Sequence, residues 1–227
     1  MHARSVLPAL LLPFAVLASI DSEDSAMTTP SRETIKLPSP ERHDGSMSLE
    51  QALSRRRSVR EFTRRALTDE QLSQLLWAAQ GSTRRGESRT APSAGALYPL
   101  EVYVALPEGL YHYDADRNRL ARHAEGDLRP EIYRTSLEQE AILDAPAVFV
   151  VVAVFERTAA KYGPRAKRYV WMEAGHAGQN LLLQATALGL GGVPIGAFYD
   201  EKLQDALALP EDHRPLYVIP VGKPARP

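Results

Sequence analysis

The chain of 227 residues is 44% hydrophobic and 24% charged, which is an ordinary soluble globular balance and is long enough to bury a substantial core. It contains no cysteine, so disulfides, thiolate nucleophiles and cysteine-ligated metal centres are excluded, and any redox chemistry requires a bound organic cofactor. The formal net charge of −1 gives no overall attraction to nucleic acid or membrane, so any electrostatic specialisation must be local.

The first twenty residues resemble a secretory signal peptide. Arg4 precedes an apolar run at residues 6–20, and Val16, Leu17 and Ala18 resemble a small-residue cleavage site. The run is short for a membrane anchor. The competing interpretation is that translation starts at Met27, so export to the periplasm and a cytoplasmic location both stay open.

A change in composition separates a lead-in from the folded domain. Residues 21–47 are rich in proline, serine and charge and have no periodicity, which predicts a flexible segment. The folded domain is predicted to span residues 48–227. No internal repeat and no membrane span is found after residue 20.

Two capping boxes mark the first predicted helices. Ser48 with Gln51 predicts the start of a short helix, and Thr68 with Gln71 predicts a longer one that ends at Gly81.

A basic segment joins these two helices. Its arginines surround the single acid Glu61 and are Arg55, Arg56, Arg57, Arg60, Arg64 and Arg65. Three interpretations compete: a solvated charged face, a nucleic-acid patch, and a site for a small anion. Ser58 favours the last of these, because a hydroxyl among guanidinium groups supplies the mixed donors that a phosphate monoester needs.

The middle of the chain predicts strands. Turn residues give way to alternating strand residues at 101–106, and turn signals on both sides of LYHY predict a hairpin. Residues 127–137 are typical of a surface helix. The continuous apolar run at 147–155 predicts a strand that is buried on both faces of the sheet.

A nearly all-apolar helix at residues 171–188 is the predicted centre of the domain. Its polar residues Glu173, His176, Asn180 and Gln184 fall in one narrow stripe, so most of the helix surface must be covered. A chain of this size cannot cover it alone, which predicts a homodimer. Beyond the helix, we expect Asp200 to cap a short helix and a last strand to begin near residue 216.

Several common sites are missing from the sequence. The histidines are scattered, which predicts no metal site, and no Gly-x-Ser-x-Gly elbow is present. The glycines at 189–196 follow a helix and precede a strand, the reverse of the order in a dinucleotide-binding fingerprint.

A set of motifs resembles the nitroreductase family of FMN flavoproteins over residues 48–227, and within it the SagB-type branch. The motifs are RRSVR, LLWAAQG, RTAPSAGALYPLEVYV, GLYHYD, KYGPRAKRYVWMEAGHAGQNLLL, ALGLGGVPIGAF and VGKP. Members of that branch include dehydrogenases that oxidise azolines to azoles in peptide natural products. The resemblance implies an α+β fold with a mixed, largely antiparallel sheet flanked by helices, in an intertwined homodimer with FMN in the groove between subunits.

The resemblance also implies roles for particular residues. The FMN phosphate and ribityl chain are expected at Arg56, Arg57, Ser58 and Arg60, with Lys223 or Arg226 closing on the phosphate. One edge of the flavin is expected at Pro92, Ser93 and Ala94, and its N5 atom against the backbone of Pro194, Ile195, Gly196 and Ala197. Many nitroreductases have an asparagine where this chain has Ala96, which removes one polar contact.

A proposed catalytic pair completes the resemblance. Lys161 and Tyr162 match the Lys-Tyr pair that is proposed to take a substrate proton in the azoline dehydrogenases; the competing interpretation is an exposed lysine without a role. The implied activity is ping-pong hydride transfer through FMN. Either NAD(P)H reduces the flavin for a nitroaromatic or quinone acceptor, or a small-molecule or peptide substrate is dehydrogenated and oxygen takes the electrons. The alternative outside enzymes is a basic binding module that acts through residues 55–65.

Overall fold

The computed structural model describes residue 1 and residues 34–40, 45, 47–83 and 88–226. The predicted signal peptide lies outside these residues, apart from Met1. None of the described helices combines the length and apolar character that a membrane crossing requires.

A seven-stranded sheet forms the centre of the domain, in the order β1-β6-β5-β4-β7-β9-β8, and a two-stranded ladder joins β2 to β3. The strands are β1 (Thr34–Lys36), β2 (Ser82–Thr83), β3 (Ser88–Arg89), β4 (Leu100–Leu106), β5 (Gly109–Asp114), β6 (Arg119–Glu125), β7 (Ala147–Ala153), β8 (Gly191–Gly192) and β9 (Arg214–Gly222). Neighbouring strands pair antiparallel, and one isolated parallel bridge joins Ser58 to Gly192. The predicted mixed, largely antiparallel sheet is confirmed.

Helices cover both faces of this sheet, as the predicted α+β class requires. They are α1 (Leu49–Arg55), α2 (Asp69–Gln80), α3 (Arg129–Thr135), α4 (Ala141–Asp144), α5 (Phe155–Tyr162), α6 (Ala166–Ala187) and α7 (Asp200–Ala206). Successive side chains of β7 point alternately into two hydrophobic cores, one on each face of the sheet. Phe149 and Val151 pack with residues of α2 and α6, while Val148 and Val150 pack with residues of α3, α4 and α7.

Local capping signals work as predicted at the start of the domain. Both capping boxes form, and α2 ends at Gly81, whose N–H donates to the Trp77 carbonyl at 2.7 Å. A Cβ at Gly81 would lie 2.2 Å from Trp77 Cδ1, so only glycine fits this helix end.

The prediction that Asp200 caps α7 is wrong. Tyr199 is the N-cap residue, without a side-chain hydrogen bond, and Asp200 lies in the first turn. A carboxylate there still interacts favourably with the helix dipole.

Part of the predicted lead-in is also ordered. β1 pairs with β6, Leu37 is buried, and the Pro38 carbonyl accepts a 2.6 Å hydrogen bond from Ser73 Oγ of α2. Residues 34–40 therefore belong to the domain, because they extend its sheet at one edge.

The central helix begins five residues earlier than predicted, at Ala166. Ala177 and Gly178 are buried, and a Cβ at Gly178 would meet Ile219 at 3.6 Å, so these small residues serve the contact with β9. Trp171 and Met172 remain 60% and 51% exposed at the other side of α6.

Candidate functional site

The basic segment at residues 55–65, called here the arginine segment, is held against the glycines that follow α6. Val59 N–H donates to the Gly192 carbonyl at 3.0 Å, and Ser58 bridges Gly192. A Cβ at Gly191 would lie only 2.5 Å from Val59 Cγ2. The close approach of the two backbones thus depends on glycine at position 191.

The C-terminal residues return to the same segment. Thr63 N–H donates to the Lys223 carbonyl at 2.8 Å, and Ala225 N–H donates to the Glu61 carbonyl at 3.0 Å. Arg226 Nε lies 3.6 Å from a Glu61 carboxylate oxygen, in an exposed pair that contributes little to stability. The structure thus holds the backbone of residues 223–225 against the arginine segment, and the role of Lys223 or Arg226 at a phosphate stays a prediction.

The cations of this cluster are available to an anion. Arg57 and Arg60 are exposed and Arg56 is half-buried, and within the described parts of the chain none of the three forms an ion pair. At the other end of the arginine segment, Arg65 and Lys223 line a cavity of about 280 Å³. Guanidinium groups, an ammonium group and the exposed Ser58 hydroxyl together form a donor set that fits a phosphate monoester.

Ile195 is not placed as the sequence analysis expected. Its N–H donates to the Val218 carbonyl at 2.8 Å, its carbonyl accepts from Val218 N–H at 2.9 Å, and its side chain is buried. Both backbone groups are thus used by β9. Gly196 and Ala197 are exposed, a Cβ at Gly196 would meet nothing within 4 Å, and the Ala197 carbonyl accepts a hydrogen bond from Gln139 Nε2 at 3.4 Å.

The segment at residues 92–98, called here the serine turn, has an unusual backbone. Gly95, Ala96 and Tyr98 have φ angles of 65°, 54° and 45°. For Ala96 and Tyr98 this left-handed conformation is unfavourable and persists only when surrounding contacts impose it. One such contact is internal: Ser93 Oγ accepts a hydrogen bond from Tyr98 N–H at 2.9 Å.

Helix α5 holds this turn from outside. Arg157 Nη1 donates to the Tyr98 carbonyl at 3.0 Å, and its Nη2 lies 2.5 Å from a Glu101 carboxylate oxygen. At the end of the same helix, Lys161 Nζ and the Tyr162 hydroxyl oxygen lie 3.1 Å and 3.0 Å from where a Cβ at Gly95 would be. The predicted catalytic pair is therefore placed on the serine turn.

Glu101 and His112 extend the Arg157 contact into a polar cluster. His112 Nε2 lies 2.7 Å from the second Glu101 carboxylate oxygen. Burial acts to raise the pKa of Glu101, but hydrogen bonds from His112 and Arg157 outweigh burial and hold it below its usual range. The cluster borders a polar cavity of about 600 Å³ next to Tyr98.

Glu173 of α6 is a site residue that the sequence analysis left without a role. It is only 3% exposed, and among the described residues nothing hydrogen-bonds its Oε1. Burial raises its pKa to about 7, against the opposing effect of hydrogen bonds from Ser93 and Gln80. Its one signal in the sequence is that it is the only acid in α6.

The predicted cofactor contacts fall at two places along α6 within one chain. Ser93 of the serine turn lies near enough to Glu173 to lower its pKa, whereas a Cβ at Gly192, beside the arginine segment, would meet Leu182 at 3.2 Å. These two helix positions are nine residues apart, or about 13 Å at the usual rise of an α-helix.

Residues 53–223, three quarters of the chain, match the family described as Nitroreductase family. The chain belongs to the nitroreductase family. A Methanocaldococcus jannaschii protein assigned as a nitroreductase, MJ1384, is 43% identical over 183 residues, which cover 78% of this chain and 91% of that protein. The family assignment makes the chain an oxidoreductase, and nitroreductases generally use a flavin.

Solved nitroreductase-like structures agree with the fold. A structure from Ralstonia eutropha, also assigned as a nitroreductase, has a TM-score of 0.79 and 35% identity and covers 87% of this chain and 92% of its own. The Escherichia coli microcin synthetase McbBCD complex, solved with truncated pro-MccB17 bound, contains a chain with a TM-score of 0.65 and 25% identity. That match covers 95% of this chain and 77% of the microcin synthetase chain.

Proposed function

We propose that the protein is an FMN-dependent oxidoreductase that transfers hydride by a ping-pong mechanism. The observation that carries this proposal is the convergence of unpaired cations at one place: Arg56, Arg57 and Arg60 beside Ser58, with the Lys223 backbone bonded to the same segment. Such a donor set fits the phosphate of FMN.

The proposal extends to the rest of the cofactor. Arg226 would close on the phosphate, the backbone at Gly196 and Ala197 would face the ring at N5, and Pro92, Ser93 and Ala94 would line one edge. FMN supplies the hydride chemistry when bound. The chain's own contribution is to hold the phosphate by charge, to direct backbone donors at the ring, and to keep the serine turn in its strained form.

We further propose that the protein acts as a homodimer with each cofactor between two subunits. The separation of about 13 Å along α6 between the serine turn and the arginine segment supports this arrangement, because a second copy then brings its own turn to the phosphate half of the site. The exposed apolar side chains Leu49, Leu53, Trp171 and Met172 supply a surface for that contact.

Two reactions follow from different features of the site. In the first, NAD(P)H reduces the cofactor, and a nitroaromatic or quinone accepts the electrons. In the second, a small-molecule or peptide substrate gives its hydride to the cofactor while Lys161, assisted by Tyr162, takes the proton from the same substrate, and oxygen reoxidises the cofactor. The placement of Lys161 and Tyr162 on the serine turn and the similarity to a microcin synthetase chain favour the second, SagB-type reaction.

The first experiment is to purify the protein and identify any released flavin. We expect yellow protein with FMN, and an Arg57→Ala, Arg60→Ala double variant that binds FMN at least tenfold more weakly. The matched control is Arg117→Ala, which removes an exposed arginine far from the cluster and is expected to keep FMN affinity. Colourless protein that does not take up added FMN would overturn the proposal.

Substitution of Lys161 separates the two reactions. If the SagB-type reaction is correct, Lys161→Met abolishes substrate oxidation but leaves turnover with a nicotinamide donor unchanged, while Lys167→Met, an exposed lysine of α6, changes neither. If Lys161→Met keeps both activities, the nicotinamide reaction is favoured. Steep salt-dependent retention of flavin-free protein on nucleic acid would instead support a basic binding module.

A further inference from the structure

The polar cavity of about 600 Å³ that borders Tyr98, called here the Tyr98 cavity, is lined by none of the residues assigned to the cofactor. Its walls come from the serine turn, the start of β4, the end of β5, the turn that joins β5 to β6, and α5. A cavity of this size is within the range of pockets that hold small ligands. It is therefore a candidate for a second binding region beside the serine turn.

Tyr98 joins the serine turn to this cavity. Its N–H donates to Ser93 Oγ at 2.9 Å, and its carbonyl accepts from Arg157 Nη1 at 3.0 Å, so its backbone belongs to the turn. Its ring lies beside the guanidinium group of Arg89, whose Cζ is 5.8 Å from the ring centroid. Tyr98 holds this position with a φ of 45°, and backbone strain of this kind is concentrated at catalytic and ligand-binding sites.

Arginines outnumber acids in the lining of the Tyr98 cavity. The arginines are Arg89, Arg117, Arg119 and Arg157, and the acids are Glu101, Asp114 and Asp116. Each of the three acids already has an arginine nitrogen within 3.2 Å of a carboxylate oxygen. Since the acids are neutralised and one cation is in excess, the cavity favours an anionic ligand over a cationic one.

Asp114 holds two of these arginines together. Its Oδ2 accepts hydrogen bonds from Arg119 Nε at 2.9 Å and from Arg117 Nη1 at 3.2 Å. A guanidinium group carries five N–H donors, and within the described parts of the chain each of these two uses one of them on Asp114. The side chains of Arg117 and Arg119 are 69% and 38% exposed, so their other donors are open to a ligand. Guanidinium groups are suited to bind a carboxylate through paired hydrogen bonds.

We propose that the Tyr98 cavity is a subsite for a carboxylate of a peptide substrate, and that Arg117 and Arg119 bind this carboxylate. The cavity is much larger than a carboxylate group and borders the serine turn, so the ligand must extend from the two arginines toward the turn. Of the substrates considered above, a peptide has this length. The inference rests on the proposed function only where it calls the ligand a substrate, because carboxylate binding does not require the cofactor.

Isothermal titration calorimetry of the full chain with short peptides tests this inference. The acidic probe is acetyl-AAEAA-amide, and the neutral probe is acetyl-AAQAA-amide. We expect the acidic probe to bind at least about tenfold more tightly than the neutral one, because hydrogen bonds to a charged group are the stronger ones. A third probe, acetyl-AAQAA with a free carboxyl terminus, distinguishes the two sources of a carboxylate: tighter binding of this probe than of the neutral one assigns the subsite to a chain end.

Substitution of the two arginines connects the preference to this cavity. The double variant Arg117→Gln, Arg119→Gln is expected to bind the acidic and neutral probes equally. The matched control is Arg134→Gln, an exposed arginine of α3 that pairs with Glu131, and it should keep the tenfold preference.

Two single variants cover the case in which the double variant does not fold. Arg117→Gln and Arg119→Gln each leave Asp114 one arginine partner, and each is expected to lower the preference severalfold. The inference is overturned if the wild type binds neither carboxylate probe more tightly than the neutral one, or if both single variants keep the full preference.

FMN binding, measured by quenching of free FMN fluorescence, keeps the two proposals distinguishable. Arg117 and Arg119 are not among the assigned cofactor contacts, so both single variants are expected to bind FMN as tightly as the wild type. Protein that binds no FMN but prefers a carboxylate probe contradicts the proposed function and supports the carboxylate subsite. Protein that binds FMN without any preference among the probes contradicts the subsite and leaves the proposed function standing.

Discussion

Lys161 Nζ lies 3.1 Å from the position that a Cβ would occupy at Gly95, so the ammonium group of α5 rests on the bare backbone of the serine turn. This contact requires glycine for two reasons. The φ of Gly95 is +65°, which side-chain-bearing residues adopt unfavourably, and the space that a side chain needs is filled by Lys161 and Tyr162.

The first prediction concerns Gly95. Gly95→Ala is expected to cost about 1 kcal/mol in unfolding free energy from backbone strain and to lower substrate oxidation by about tenfold, because Lys161 and Tyr162 must move. Gly126→Ala is the matched control, since Gly126 has φ +81° but open space around it. The control should lose similar stability in thermal denaturation and keep its activity; equal activity of the two variants would contradict the assigned contact.

The second prediction concerns the contact between Gly191 and Val59. A Cβ at Gly191 would overlap Val59, so Gly191→Ala is expected to separate the arginine segment from β8, to cost about 1–3 kcal/mol, and to weaken FMN binding. The double variant Gly191→Ala, Val59→Gly removes all the Val59 side-chain atoms that a Cβ at position 191 would overlap, and should recover part of both losses. Gly175→Ala serves as the control, because a helical Cβ there meets nothing within 4 Å and is expected to be neutral or slightly stabilising.

The third prediction concerns the pH dependence of global stability. The folded pKa of Glu173, about 7, is raised above its ordinary value, so its protonated form stabilises the fold in acid and that contribution is lost as the pH rises through 7. Glu173→Gln removes this loss. Denaturant unfolding should show the variant to be more stable than the wild type by up to about 3 kcal/mol at pH 8, but by less than about 1 kcal/mol at pH 5. A variant that is less stable at pH 8 would indicate that the carboxylate is satisfied.

The fourth prediction concerns Arg157. Arg157→Ala removes the donor to the Tyr98 carbonyl and a partner of Glu101, and is expected to cost about 1–2 kcal/mol at pH 7. Because the pKa of Glu101 is lowered in the folded state, its ionised, paired form stabilises the fold at neutral pH, and this stabilisation is lost as the pH falls through the folded pKa. The difference in stability between Arg157→Ala and the wild type should therefore shrink in acid. Arg134→Ala breaks an exposed pair with Glu131 and should change stability by less than about 0.5 kcal/mol.

Sequence patterns located those parts of the fold that depend on near neighbours. Only residues within one helical turn are needed to predict the capping boxes at Ser48 and Thr68 and the helix end at Gly81. The continuous apolar run of β7 by itself predicts that this strand is buried. The arginine segment was found from its local charge and Ser58, whereas the roles of the serine turn and of the Lys161-Tyr162 pair came from a family resemblance carried by the order of motifs along the chain.

Contacts between distant segments were beyond such patterns. The sequence placed Glu173 on a helix stripe, but its burial depends on Gln80 and Ser93 from two other elements. Nothing near Ile195 in the sequence indicates that Val218 takes both of its backbone groups, and nothing near Arg157 indicates that it bonds Tyr98. The homodimer and the FMN contacts stay predictions.

The backbone hydrogen bonds that join Thr63 to Lys223 and Glu61 to Ala225 also determine when the cluster can assemble during synthesis of the chain. The anion-holding cluster draws on the first and the last parts of the domain, and contacts of such sequence separation form late because they close the longest loops. The cluster is thus incomplete in a nascent chain until residues 223–226 have left the ribosome.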